Sequence, residues 1–151
     1  AEPSAADADA KAEAEEFERD PRFLQNDEFG GSDGWLHRFI DYWNGPGTWE
    51  AMAPQGRAYA QKLGWKMYQE VRSVFGQSDP ADAYRVKVPL TLAIGEKTTA
   101  MSRAMTRAMA TLNPHAAVEH LKGLGHMALL TRGADVAPSI KRHFDAHAGK
   151  K

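Results

Sequence analysis

Chemistry in this chain gathers around one histidine. Gly123-Leu124-Gly125-His126-Met127 puts an imidazole at the tip of a glycine-paired turn, directly after Ala116 to Leu121, which reads as a short strand. Upstream, Val88-Pro89-Leu90-Thr91-Leu92-Ala93-Ile94-Gly95-Glu96 reads as a second strand that also ends in a turn, with Glu96 as the nearby carboxylate. Between them, Met101, Met105, Met109 and Leu112 recur at helical spacing. Strand, helix and strand, with polar residues just past each strand's carboxyl end, is how open parallel sheets build active sites. Histidine titrates near neutral pH, so His126 is the residue whose chemistry matters first.

The elements that must position it follow from periodicity. Residues 1–34 hold eleven acids against three bases, and residues 35–151 hold nine against sixteen. This predicts an acidic, flexible or partner-dependent segment over 1–34, where Phe17 alone is too little to anchor an Ala-Glu helix. Helices are predicted from Trp35 to about Trp43, with Ser32 or Asp33 as N-cap, and from Pro54 to Phe75. Together, 35–78 form a helical region rich in Tyr42, Trp43, Trp49, Tyr59 and Trp65. Residues 79–147 carry the strand–helix–strand unit and a last helix from about Asp135, and 148–151 are a tail. The fold class is α/β, with both strands apolar enough to be covered on two faces. Two parallel strands are too few for such a sheet. The chain also opens at Ala1 rather than Met. The expectation is therefore a processed or truncated product whose remaining strands belong to an N-terminal half or to another chain.

The order of these features resembles the C-terminal half of an α/β-hydrolase, from about Trp35 to Phe144. Lys87 to Glu96 is similar to that fold's penultimate strand with its "P-T-L-x-x-x-G-E" ending. Leu112-Asn113-Pro114-His115-Ala116 is similar to the lead-in to the last strand, and Gly123-Leu124-Gly125-His126-Met127-Ala128 to the "G-x-G-H" turn. Arg38 to Trp49 and the long helix after it resemble the helical cap of some bacterial members. The resemblance implies hydrolysis of an ester or related small-molecule acyl substrate, with His126 as the triad histidine. It implies no cofactor. It places the nucleophile in a complementary N-terminal chain or missing segment.

The rest of the triad is incomplete in this chain. The resemblance puts the acid three residues after Gly95, where Thr98 stands, and a threonine carries no charge. Glu96 is the alternative acid within the chain, while some family members supply the acid from the preceding strand. Gly30-Gly31-Ser32-Asp33-Gly34 is a literal G-x-S-x-G, but a nucleophile elbow needs an apolar strand running into it, and Leu24 to Phe29 is polar. Ser32 is better read as a helix cap. Trp43, Trp49 and Met127 are candidates for lining an acyl pocket.

Other classes are less well supported. There is no cysteine, which excludes disulfides and thiolate catalysis. His143 and His147 lie at i and i+4 but have no third ligand near in sequence, so no metal site is expected. The near-neutral net charge argues against nucleic acid, and no apolar run approaches the roughly 20 residues of a membrane span. No signal sequence opens the chain, which predicts a cytoplasmic protein. The rival to an enzyme is a hydrolase-like binding module that has lost its acid at Thr98.

Overall fold

The computed structural model describes residues 5–148. The sequence-predicted 1–34 segment and 148–151 tail are thus covered in part, with 1–4 and 149–151 outside the described residues. Among the described residues, eight α-helices and two strands run in the order α1 (Ala5–Arg19), α2 (Arg22–Gln25), α3 (Asp33–Asn44), α4 (Thr48–Ala51), α5 (Pro54–Phe75), β1 (Thr91–Gly95), α6 (Ala100–Leu112), β2 (Ala117–Leu121), α7 (Ala128–Thr131) and α8 (Gly133–His147). A 3-10 turn, Ala81–Tyr84, precedes β1. The described chain divides into two compact units: residues 11–79, all helical, and residues 80–148 with 5–10, which hold both strands. Among the described residues no helix is long and apolar enough to cross a membrane.

In the helical unit the aromatic residues form the core. Trp35 is fully buried and stacks between Phe23 and Phe39 at centroid distances of 5.2 and 4.8 Å, with Tyr68 edge-on at 5.8 Å. Its indole N–H donates to the Phe23 carbonyl at 2.9 Å, which satisfies the one polar atom that burial would otherwise strand. Phe17 is also buried. It lies 4.8 Å from Phe23 and edge-on to Tyr42 at 4.6 Å, beneath the Arg38 guanidinium. Phe17 does not anchor its helix alone, because Phe23, Tyr42 and Arg38 converge on it, and residues 11–34 belong to the helical unit. Asp7, in the first turn of α1, pairs with Arg107 of α6 at 2.8 Å.

Ser32 caps α3, accepting from the Trp35 N–H at 3.4 Å. The glycines around it serve a helix crossing. Gly31, at φ +75°, presses its backbone against Gly64 in the middle of α5, and a methyl on Gly64 would run into the Gly31 carbonyl. The literal G-x-S-x-G is thus a loop packed on a helix, and no strand leads into it.

In the other unit β1 and β2 pair in parallel, Thr91 opposite Ala117 through Gly95 opposite Leu121, joined by α6. Thr99 caps α6, accepting from the Ser102 N–H at 3.2 Å. Asn113, 1% exposed, closes the base of this crossover. Its amide accepts from Val86 N–H at 2.8 Å and donates to the Tyr84 and Met109 carbonyls at 3.1 and 3.0 Å. One sheet face carries Glu119, which holds Ser139 of α8 at 2.6 Å and also pairs with Arg142. On the opposite face Ile94 is buried but Val118 is 43% exposed. Among the described residues the sheet has two strands and part of one face is uncovered.

Replacing Gly64 by alanine should destabilise the helical unit by about 1–3 kcal/mol, as overpacking against backbone does. Gly133→Ala, where an added methyl meets nothing within 4 Å, serves as the reference and should lie close to wild type. Urea denaturation of the two variants measures the difference.

Candidate functional site

The His126 turn is held by the end of β1. The Lys97 N–H donates to the Leu124 carbonyl at 2.8 Å, the Glu96 N–H to the Leu121 carbonyl at 3.0 Å, and the Gly123 N–H to the Glu96 carboxylate at 2.8 Å. Leu124, 3% exposed, packs with Ala128 and Val136 and so anchors the turn from below. These contacts require Gly95. A methyl there would stand 2.6 Å from the Leu124 carbonyl oxygen and 2.8 Å from that of Gly125. The absence of a side chain at the last residue of β1 lets the loop carrying His126 cross the strand terminus.

The crossing brings His126 onto two hydroxyls. Its Nδ1 lies 3.2 Å from Thr98 Oγ1 and 3.1 Å from Ser102 Oγ. Thr98 is buried and Ser102 partly so, while His126 itself reaches solvent. Thr99 Oγ1 in turn donates to Ser102 Oγ at 3.0 Å while accepting from the Ser102 N–H. Arg103 bonds the Thr98 carbonyl and fixes the loop between β1 and α6. Partial burial pushes the His126 imidazole below the ordinary histidine value of 6.5, since lost hydration penalises the charged ring. The neutral ring can accept a proton.

Each residue expected at the site has a definite place. Thr98, at the position where the resemblance seeks an acid, does meet His126 Nδ1, with a hydroxyl instead of a carboxylate. Glu96 uses its carboxylate to fasten the Gly123 amide. Met127 follows His126 and precedes α7. Trp49 is buried in the helical unit under the Arg57 guanidinium, and Trp43 packs edge-on to Tyr42 at 4.7 Å. Ser102 was not among the expected site residues. The signal for it was Thr99-x-x-Ser102, a capping pattern one turn past a strand end. Elsewhere, His143 Nδ1 meets Thr91 Oγ1 at 2.9 Å and its ring lies 5.0 Å from that of His147. Among the described residues no group of three His, Cys, Asp or Glu side chains could hold a metal ion.

Within the helical unit a groove of about 420 Å³ is lined by Glu13, Phe17, His37, Arg38, Asp41 and Tyr42 among others. Two of its carboxylates, Glu13 and Asp41, are already engaged. Glu13 accepts from the Tyr42 hydroxyl at 2.8 Å. Asp41 accepts from the Trp49 and Gly47 N–H groups at 2.7 and 2.8 Å. Burial raises the Asp41 carboxyl, but these bonds and His37 outweigh it and hold the group below its usual range. Asp41 thereby braces the α3–α4 turn.

Two measurements probe the His126 geometry. Titration of the His126 ring by NMR should show a midpoint below 6.5, and Thr98→Asp should raise it by about one unit or more by placing a negative charge beside Nδ1. Because the folded value is depressed, the unfolded chain takes up this proton first. The group's stabilising contribution is full above 6.5 and is lost as pH falls through 6.5 toward the folded value. Gly95→Ala should cost about 1–3 kcal/mol and move the His126 ring resonances, because the displaced Leu124–Gly125 carbonyls carry the histidine with them.

No protein-family model, no curated protein and no solved structure matches this chain.

Proposed function

We propose that this chain carries the histidine half of a serine-type α/β-hydrolase site, with His126 as the general base and acid in hydrolysis of a small acyl ester. The carrying observation is an imidazole at the carboxyl end of a parallel strand pair, its Nδ1 engaged by the Thr98 and Ser102 hydroxyls. A base of this kind takes the proton of an attacking hydroxyl and returns it to the leaving group, an effect typically worth about 10²–10⁴ in rate. The resemblance assigns further strands, the elbow serine and the oxyanion amides to a complementary N-terminal segment or chain. The uncovered face at Val118 is compatible with such an addition.

A second reading is favoured by Thr98. A hydroxyl beside Nδ1 orients the ring but supplies no charge to stabilise an imidazolium, so a hydrolase-like binding module without turnover also fits the site.

Fluorophosphonate labelling of the protein as purified, with the intact mass of every species present, separates the two. Hydrolase function predicts a labelled serine, on this chain or a co-purifying one, whose labelling falls by about 10²-fold or more in His126→Gln. A folded preparation that takes no label, or labels equally without His126, leaves the binding module as the correct reading.

A further inference from the structure

The Ser102 hydroxyl on α6 lies within hydrogen-bond distance of His126 Nδ1. The Ser102 N–H donates to Thr99 Oγ1, and the Thr99 hydroxyl donates to Ser102 Oγ at 3.0 Å. Thr99 thus supplies the hydrogen between the two hydroxyl oxygens, and the Ser102 hydrogen is left to point at His126 Nδ1, 3.1 Å away. In the tautomer that carries its proton on Nε2, Nδ1 accepts from Ser102. A carboxylate at position 98 would favour the opposite tautomer. With the neutral Thr98 hydroxyl there, the basic nitrogen faces Ser102.

We propose that Ser102 is an acylatable nucleophile of this chain by itself, with His126 Nδ1 as its base and activated esters as its substrates. This rests on the base role of His126 but not on a complementary half. Ser102 Oγ attacks the acyl carbon while its proton moves to Nδ1. The tetrahedral adduct then breaks its bond to the leaving oxygen, which takes that proton from Nδ1. Water attacks the acyl-Ser102 ester in the same way, passing a proton to Nδ1, and Ser102 Oγ regains it as the acid departs. An aryl ester suits such a site, because its leaving group needs little help and no carboxylate stabilises the imidazolium.

The experiment is fluorophosphonate labelling of the isolated chain followed by peptide mapping. Label on Ser102 that slows by roughly 10²-fold in His126→Gln supports the proposal. Label at Ser32 or on any other residue, or no label on chain shown folded by circular dichroism, overturns it. Label confined to a co-purifying chain and dependent on His126 overturns it too, while leaving the hydrolase reading intact. Because Ser102 also contributes to the α6 cap, a second variant keeps the test independent of its loss. The chain has no cysteine, so Ser102→Cys places one thiol beside His126. Iodoacetamide should modify it faster than the thiol of Ser73→Cys, an exposed helix position, at the same pH. The difference should vanish when His126→Gln is added. Equal rates in the presence of His126 overturn the proposal.

Discussion

A strand terminus without a side chain governs the strand-bearing unit. The Leu124 and Gly125 carbonyls lie where a Cβ on Gly95 would be, and the Leu124 carbonyl is the acceptor for Lys97 N–H. Three consequences share this cause. The turn can sit on the end of β1, Leu124 can reach the apolar cluster with Ala128 and Val136, and His126 arrives beside Thr98 and Ser102. The imidazole's environment is therefore set by backbone packing at the two residues before it, and the hydroxyls only complete it.

The same device appears in the helical unit. Gly31 and Gly64 let a loop and a helix meet backbone to backbone, and the adjoining Gly30 leaves room for the Tyr68 ring. Tyr68 is fully buried, and its hydroxyl reaches Asp27, which Arg72 also holds. Glycine in both units marks close approach. In the sequence these residues look like turn punctuation or a hydrolase motif, and nothing local distinguishes the uses.

Periodicity made much of the fold legible. The α5 bounds, the α6 and β2 segments and the Ser32 cap follow from apolar spacing, proline placement and capping chemistry, which act over a few residues. What escaped was non-local. The α1 helix depends on Phe17 meeting Phe23 and Tyr42, and no window around Phe17 contains Tyr42. The apolar run of β1 indicated double coverage, yet coverage depends on how many strands assemble beside it. At the site, the position of His126 was legible from the glycine-paired turn. Its partners were legible only halfway. Thr98 was marked as the residue in the acid's place, whereas Ser102 lies on α6, and its approach to His126 depends on how the turn crosses β1.

Asn113 has a consequence for the order in which this unit assembles. Parallel strands cannot pair through a tight turn, and the chain between them must close a long loop before the sheet yields any hydrogen bond. The buried amide of Asn113 ties the residues just before β1 to the last turn of α6, through Val86, Tyr84 and Met109. Once α6 has formed, that single side chain brings the start of one strand beside the start of the other. With that contact made, the loop that strand pairing must still close is shorter and costs less entropy. A contact remote from His126 thus helps to hold the strand pair on which its platform rests.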